Sequence, residues 1–216
     1  MQELLGTSVE LVAAMYRSPQ LLPGGEQSQF VLAGELPKRR ADGGEEVTEV
    51  FFFPAAAQGR LAGRLGTLPK GTALTVTGPL VYLGDRFTVL VQEAARLPDR
   101  VERLKADKKD GIRLLDASCA VRLRGTLASA PVRYGLLEGG HVVNARLGLS
   151  VRGKGYRFLE VAAYHDLGEG LLSLSKDDMV TFWGLLQHRR TADGTGWFQR
   201  LEVLRLERLH ETRAMV

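Results

Sequence analysis

Two stretches of the chain share one pattern of alternating apolar and polar positions. Residues 70–97, KGTALTVTGPLVYLGDRFTVLVQEAARL, resemble residues 176–209, KDDMVTFWGLLQHRRTADGTGWFQRLEVLRLERL. Gly78 and Gly184 occupy the same place in the two stretches, and each is followed by a turn and a second alternating run. Because alternation with a period of two is typical of strands with one buried face, each stretch predicts two strands joined by a hairpin.

The parts of the chain upstream of these stretches repeat as well. Residues 8–21, SVELVAAMYRSPQL, resemble residues 120–132, AVRLRGTLASAPV, with Val9 and Val121 112 positions apart. Each copy continues with two more alternating strands and a short Gly- and Leu-rich segment that favours a helix or a helical turn. The predicted strands are 29–36, 49–57, 142–151 and 157–165, and the predicted helical segments are 59–68 and 166–175.

Each copy therefore has the order strand, strand, strand, helix, strand, strand, which is the layout of the OB-fold, a five-stranded Greek-key barrel. A glycine inside a strand marks a bend or a bulge, which a small barrel needs in order to close. We predict an all-β protein of two five-stranded OB-fold barrels in tandem, each with a short helix between strands 3 and 4. The predicted domains are 1–97 and 117–210, with a charge-dense linker at 98–116 and a C-terminal tail at 211–216.

The composition is that of a globular protein, with 216 residues, 44% hydrophobic and 25% charged. No apolar run approaches the roughly 18 residues of a membrane span. The N-terminal MQELLGTSVELV carries acids where a secretory signal has basic residues. The single Cys119 can form no intramolecular disulfide. We therefore expect a cytoplasmic protein with no membrane contact.

The net charge of +4 resides in the second half of the chain. Residues 1–110 hold 14 basic and 14 acidic residues, whereas residues 111–216 hold 15 and 11. A basic half favours a polyanion as partner, although such an excess is also common on solvated surfaces. The chain has no P-loop run, its histidines are scattered, and no metal-ligand spacing is present. We expect no cofactor, no metal and no enzymatic activity.

The order of these motifs resembles the bacterial single-stranded-DNA-binding proteins. The resemblance rests on SVELVAAMYRSP, QFVLAGE, TEVFFF, GRLAGRL and LPKGTALTVTGPL in the first copy, and on AVRLRGTLASAP, VNARLGLS, RFLEVAAYHDLGE and LSKDDMVTFWGLLQHRR in the second. Two such units look like the tandem-OB subgroup, which forms dimers with four OB-folds. The resemblance implies binding and protection of single-stranded DNA in replication, recombination or repair, with a nucleoid-associated location and replication or repair proteins as possible partners.

One expectation departs from that family. The family ends in a Gly/Pro/Gln-rich tail with an acidic tip, whereas this sequence ends in RLERLHETRAMV. We therefore expect a specialised paralogue, or a phage or plasmid form. The alternatives are an OB-fold accessory protein that touches nucleic acid only weakly, and an RNA- or tRNA-binding module.

Candidate contact residues follow from the outward positions of the second copy. By resemblance, Phe158 and Tyr164 stand where the family places its stacking aromatics; the alternative is that they cover barrel ends or a subunit interface. Basic residues gather around them, or else form a solvated surface paired with Glu160 and Glu202. The predicted cationic contacts are Arg122, Arg124, Arg146, Arg152, Lys154, Arg157, Arg189 and Arg190.

The first copy is weaker on the same test. Phe52 matches Phe158 and is a predicted contact, but Gln58 replaces Tyr164, and Pro54 is expected to interrupt the strand. We therefore expect the second domain to bind DNA more tightly than the first. Trp183 occupies the position that Thr77 has in the first copy. It is expected to point outward, to DNA or to a partner subunit.

Overall fold

Seventeen strands, two short α-helices and one 3-10 helix make up the computed structural model, which describes residues 1–38, 47–107, 110–136, 140–153, 155–190 and 197–209. The first strands in chain order are β1 (Gln2–Glu3), β2 (Thr7–Met15), β3 (Gln20–Leu21), β4 (Gln27–Lys38), β5 (Val47–Gln58), β6 (Ala73–Gly78), β7 (Leu80–Leu83), β8 (Arg86–Leu90), β9 (Glu93–Arg96), β10 (Leu104–Ala106) and β11 (Ile112–Leu114). The remaining strands are β12 (Ser118–Leu127), β13 (Val132–Gly135), β14 (His141–Ser150), β15 (Tyr156–Tyr164), β16 (Met179–Arg190) and β17 (Trp197–Arg208). The helices are α1 (Gly59–Gly66), α2 (His165–Leu172) and the 3-10 helix Pro98–Arg103.

The chain divides into two units, each of which is described by itself. Val9–Ala120 form the body of the first unit, and Gln2–Ser8 with Val121–Val216 form the second. The two boundaries, before Val9 and before Val121, are separated by the 112 positions that separate the sequence repeats.

In the second unit five strands close into a barrel. Strand β12 pairs antiparallel with β14 on one side and with β16 on the other. Strand β14 pairs with β15, β15 runs parallel to β17, and β17 returns to β16, so the ring is complete. Helix α2 lies between the third and fourth barrel strands and packs against β14, β15 and β17. This is the predicted OB-fold.

The first unit repeats the circuit with its last two barrel strands each divided in two. Strand β2 pairs with β4 and β6, β4 pairs with β5, and β5 runs parallel to β8. Strand β7 pairs with β8, and β6 pairs with β9, which completes the ring. The all-β prediction of two tandem OB-fold barrels is confirmed.

Alternation along the strands places the cores where the sequence predicts them. In the second unit, Val180 and Phe182 are fully buried, together with Leu123 and Leu147. Phe53 is 1% exposed and occupies the corresponding interior of the first unit. Burial of a side chain of this size stabilises the fold by roughly 1.5–3 kcal/mol, so these positions hold the barrels together.

Gly78 and Gly184 have a steric reason as well as the predicted bend. A Cβ atom on Gly184 would lie 2.0 Å from the backbone oxygen of Glu202, and one on Gly78 would lie 1.9 Å from that of Leu90. The pairing of β16 with β17 shifts register between Trp183 and Gly184, so β17 holds one extra residue there. Only glycine lets the two backbones approach at this point.

Residues 98–107 and 110–116 of the predicted linker contain the 3-10 helix Pro98–Arg103 and strands β10 and β11, and they group with the first unit. Strands β10 and β11 pair antiparallel, and Leu114, which is fully buried, pairs in parallel with Gly34 of β4. The high charge of the segment had suggested a linker, but two of its cations form ion pairs with a buried carboxylate. Glu35 is 7% exposed, and its Oε1 lies 3.3 Å from Arg113 Nη2 and 3.4 Å from Lys105 Nζ. The other domain limits stay a prediction.

Residues ahead of the first barrel strand complete the second unit. Leu4 is 1% exposed and forms an antiparallel bridge with Val151. The amide of Leu5 donates a hydrogen bond to the Ser150 carbonyl at 2.8 Å. The amide of Arg124 donates a hydrogen bond to the Gly6 carbonyl, also at 2.8 Å. A short N-terminal stretch therefore supplies backbone hydrogen bonds along the edges of β12 and β14.

No helix among the described residues is long and apolar enough to cross a membrane. No group of three or more His, Cys, Asp or Glu side chains within the described ranges could hold a metal ion.

The close approach at Gly184 is tested by Gly184→Ala. The added methyl group must push apart two paired strands, so we expect the free energy of unfolding to fall by about 2–3 kcal/mol. Gly63→Ala is the control, because Gly63 lies in α1 and a Cβ there meets no atom within 4 Å. Denaturant titrations followed by circular dichroism measure both, and a Gly184→Ala protein as stable as the wild type would contradict the steric explanation.

Candidate nucleic-acid interface

The outward side of β15 carries a line of aromatic side chains on the second barrel. Alternation sends Leu159 and Val161 into the core, so the neighbouring positions point outward. Tyr156 is 55% exposed and Phe158 is 49% exposed. Further along the same side of the strand, Glu160 is exposed, Ala162 is buried and Tyr164 is half-buried. Two consecutive outward positions of one strand therefore offer accessible aromatic rings.

The ring of Phe158 lies close to Gly148 of the neighbouring strand β14. Phe158 stands directly opposite Gly148 of β14, and a Cβ on that glycine would lie 3.5 Å from Phe158 Cε1. The same point lies 3.6 Å from Cδ1 of Tyr156. A Cβ at Gly148 would therefore meet both rings at ordinary van der Waals distance, so the glycine lies directly beside them.

A cation and an acid flank Phe158 in the next cross-strand row. Arg146 of β14 stands opposite Glu160 of β15, and its Nε lies 3.4 Å from Glu160 Oε1. The guanidinium carbon of Arg146 lies 5.2 Å from the centre of the Phe158 ring, within cation–π range. Arg146 is thus brought to the aromatic site as predicted, together with an acid that the sequence offered only as an alternative partner.

Tyr164 is more enclosed than the predicted stacking role requires. It is half-buried, and its hydroxyl accepts a hydrogen bond from Arg200 Nη2 at 3.2 Å. Its cross-strand neighbour on β14 is Val142, which in turn pairs with Tyr134 of β13. Tyr134 is 51% exposed, so it is the more accessible ring at this end of the face.

Arg122 and Arg124 point outward from β12, further along the same sheet. Arg124 pairs with Thr181, and its Nη2 lies 3.5 Å from Met179 Sδ. Arg122 pairs with Trp183 and lies 5.8 Å from its ring centre. Thr126, on the same strand, aligns with Gly148, so Arg122 lies four residues, or about 13 Å, along β12 from the row of Phe158.

Trp183 points outward, as predicted, and is half-buried under two guanidinium groups. Besides Arg122, Arg205 of β17 lies 4.6 Å from the ring centre. Arg205 is a neighbour that the sequence reasoning missed, since the extra residue in β17 shifts the pairing by one at this row. The two cations leave Trp183 less open than Phe158.

The other predicted cations divide between placed and undescribed residues. Arg152 is exposed and its Nε lies 2.9 Å from Glu3 Oε2. Arg157 stands opposite Leu149, in line with the core positions, and is half-buried. Its side chain was predicted to lie on the face of Phe158, but it does not lie there. Lys154 lies outside the described residues, and so do the side chains of Arg189 and Arg190, whose backbone ends β16.

The first barrel presents a different surface at the equivalent rows. Phe52 stands opposite Ala33, and the neighbouring rows on the same face pair Val31 with Pro54 and Glu35 with Val50. Phe52 is half-buried, with Tyr16 packed edge-on at 5.0 Å between ring centres. Strand β5 runs unbroken through Pro54, contrary to the expected interruption. Its parallel pairing with β8 begins only at Ala55, so Pro54 needs no partner on that side.

Tyr16 is itself fixed by the segment that had been predicted as a linker. Its hydroxyl donates a hydrogen bond to Asp107 Oδ2 at 2.9 Å. Burial, with the hydrogen bond to Asp107, raises the pKa of Tyr16 above its usual value. Gly111 packs against the Tyr16 ring so closely that a Cβ would lie 1.9 Å from Cε2. The aromatic pair of the first barrel therefore belongs to its packing more than to an open surface.

The sequence reasoning missed Tyr156, Tyr134, Arg200 and Arg205. Tyr156 would have followed from starting the third strand one residue earlier, since it keeps the alternation of Phe158. Tyr134 lies on β13, a strand that was not predicted.

Two solved structures are similar to the chain over nearly its whole length. The wild-type single-stranded DNA binding protein from Thermus aquaticus has a TM-score of 0.75 and 26% sequence identity, with 97% of this chain and 96% of that chain covered. A deletion mutant of the same protein has a TM-score of 0.74 and 25% identity, with 95% of each chain covered. No family model and no curated protein matches the sequence. The chain is thus similar in structure to a single-stranded DNA binding protein, in agreement with the resemblance drawn from the motifs.

The outer face of the second barrel can thus offer two kinds of contact. The rings of Tyr156 and Phe158 can stack on flat apolar groups, and the guanidinium groups of Arg124 and Arg146 can pair with phosphates. The first barrel offers mainly apolar, packed side chains at the same rows.

Proposed function

We propose that this protein binds single-stranded DNA with little sequence preference and protects it during replication, recombination or repair. The observation that carries the proposal is the exposed Phe158 ring, seated on Gly148 with Arg146 beside it. The full-length similarity to the Thermus aquaticus protein supports it.

The chemistry of the face suits sequence-tolerant binding. Every base has a flat π-face, so stacking on an aromatic ring contributes about 1–3 kcal/mol per base whatever the base. Arginine pairs with phosphate through two parallel hydrogen bonds, which fixes the strand without reading its sequence. No step of this scheme is catalytic, so the proposal is for a binding protein and not an enzyme.

The second barrel is the principal binding unit in this proposal. It carries Phe158 in an open position beside cations, whereas Phe52 of the first barrel is packed against Tyr16. The first barrel would contribute weaker contacts or serve assembly. We further propose a homodimer of the tandem-OB type with four OB-folds, acting at the nucleoid in the cytoplasm with replication or repair proteins as partners; the motif resemblance is the basis for this.

The second candidate is an OB-fold accessory protein that binds partner proteins and touches nucleic acid only weakly. The observation that favours it is the apolar face of the first barrel, where Val31 and Pro54 stand in place of Arg146 and Glu160. RNA remains a further possible ligand, since stacking and phosphate pairing do not distinguish ribose from deoxyribose.

Binding of labelled oligo-dT across a salt series separates these functions. With Arg122 and Arg124 each neutralising one phosphate, and the charge of Arg146 balanced by Glu160, the logarithm of the association constant should fall against the logarithm of salt concentration with a slope of about −1.4. No binding at low salt, or an affinity that ignores salt, would exclude the proposed function and leave the accessory protein. A parallel titration with oligo-rU compares the two sugars.

The aromatic contact is tested by Phe158→Ala, with Phe52→Ala as its counterpart in the first barrel. Loss of one stacked base should weaken oligo-dT binding roughly fivefold to 150-fold for Phe158→Ala, with the salt slope unchanged. Phe52→Ala should weaken binding less than threefold, although it should lower stability because the ring packs on Tyr16. Equal losses in the two variants would contradict the unequal roles of the barrels.

A further inference from the structure

A carboxylate occupies the middle of the face that the proposed function assigns to a polyanion. Glu160 lies between Phe158 and Ala162 on β15, and its side chain is 48% exposed. In the neighbouring strands it aligns with Arg146 on one side and with Arg200 on the other. A negative charge at this position opposes the binding of DNA, so its presence requires an explanation other than attraction of the ligand.

The geometry shows what Glu160 does in the unliganded protein. Its Oε1 lies 3.4 Å from Nε of Arg146, and the guanidinium carbon of Arg146 lies 5.2 Å from the centre of the Phe158 ring. The carboxylate therefore holds the guanidinium group close to the ring on which a base would stack. It also balances the charge that a phosphate would seek.

Arg200 does not compensate for Glu160 in the same way. Its Nη2 is directed to the Tyr164 hydroxyl at 3.2 Å. Arg146 is thus the cation whose position depends on Glu160, and its guanidinium group lies within cation–π distance of the exposed ring. The first barrel has no equivalent device, because Val31 and Pro54 occupy the two positions.

We propose that Glu160 is an affinity-setting residue that competes with DNA for Arg146. Resting on the proposed function, this inference adds that an incoming phosphate must draw Arg146 away from Glu160, and an incoming base must share or displace the guanidinium group beside Phe158. Binding is consequently weaker, and less dependent on salt, than the number of arginines on the face would produce. A strand held in this way is released more readily.

The substitution Glu160→Gln removes the charge and keeps the shape and a carbonyl acceptor for Arg146. We expect this variant to bind oligo-dT about threefold to tenfold more tightly at low salt. Its salt slope should become steeper by about 0.7, because Arg146 then neutralises one further phosphate, and the counterion condensed on that phosphate is released. Asp166→Asn is the matched control: it makes the same change in net charge at an exposed position of α2, outside the strands that form the face, and both readouts should stay at the wild-type values.

A double-mutant cycle with Arg146→Gln distinguishes competition for Arg146 from general repulsion. If Glu160 acts through Arg146, the gain from Glu160→Gln should fall below twofold in the Arg146→Gln background. The same gain in both backgrounds, or no gain in either, would overturn the inference. Thermal unfolding of each variant checks that the barrel is intact.

The outcomes separate this inference from the function on which it rests. Salt-dependent binding by the wild type, with Glu160→Gln unchanged, would refute the role of Glu160 and leave the proposed function standing. Absence of binding by both proteins at low salt would refute both. Binding by Glu160→Gln alone would support the inference, since the wild-type carboxylate would then be the obstacle.

Discussion

The close approach of two backbones at a single glycine in each barrel is the constraint on which the rest of this structure depends. The space next to Gly184 is filled by the carbonyl of Glu202, and the space next to Gly78 is filled by that of Leu90. A five-stranded sheet can close on itself only if its strands bend sharply, and a bend of this kind brings the fourth strand onto the fifth. The hydrophobic interior then follows, since closure directs Phe182 and Leu201 inward. The constraint requires glycine at one position in each barrel.

The same closure determines what the outer face can present. In the second barrel the register shift at Gly184 aligns Trp183 with Arg205 and with Arg122 across three strands. The pairing of β14 with β15 places Phe158 over Gly148. The two glycines differ in what lies next to them: the space beside Gly184 is filled by backbone, whereas the space beside Gly148 borders the rings of Phe158 and Tyr156 at ordinary van der Waals distance.

Much of the fold could be predicted from the sequence, because burial and the strand period act on every residue of a barrel. The strands, the helices between them and the core followed from alternation, and the two glycines followed from the repeat. The segment 98–116 could not be predicted in the same way, since its apolar residues are few and its charges find a buried partner in Glu35. The site was harder, because alternation assigns a face but not a neighbour. Alternation placed Phe158 and Arg146 on the outer face, yet it could show neither the ion pair with Glu160 nor the packing of Tyr16 on Phe52. Arg157 was misplaced because its charge was given more weight than the alternation that puts it in line with Leu159.

The two copies show how one barrel can have two outer surfaces. Inside, the demands on Phe53 and Leu159 are alike, because both must fill a closed space at high packing density. Outside, no such demand exists, and the cross-strand row that reads Arg146 and Glu160 in one copy reads Val31 and Pro54 in the other. A paired charge on an exposed sheet contributes little to stability, so its retention in the second copy has to be explained by what the face meets. An exposed aromatic ring beside a glycine, with a cation held next to it by an ion pair, is an arrangement that packing alone does not require. Differences in function between the two barrels should therefore be sought in these few outward rows, and differences in stability in the interior that the copies share.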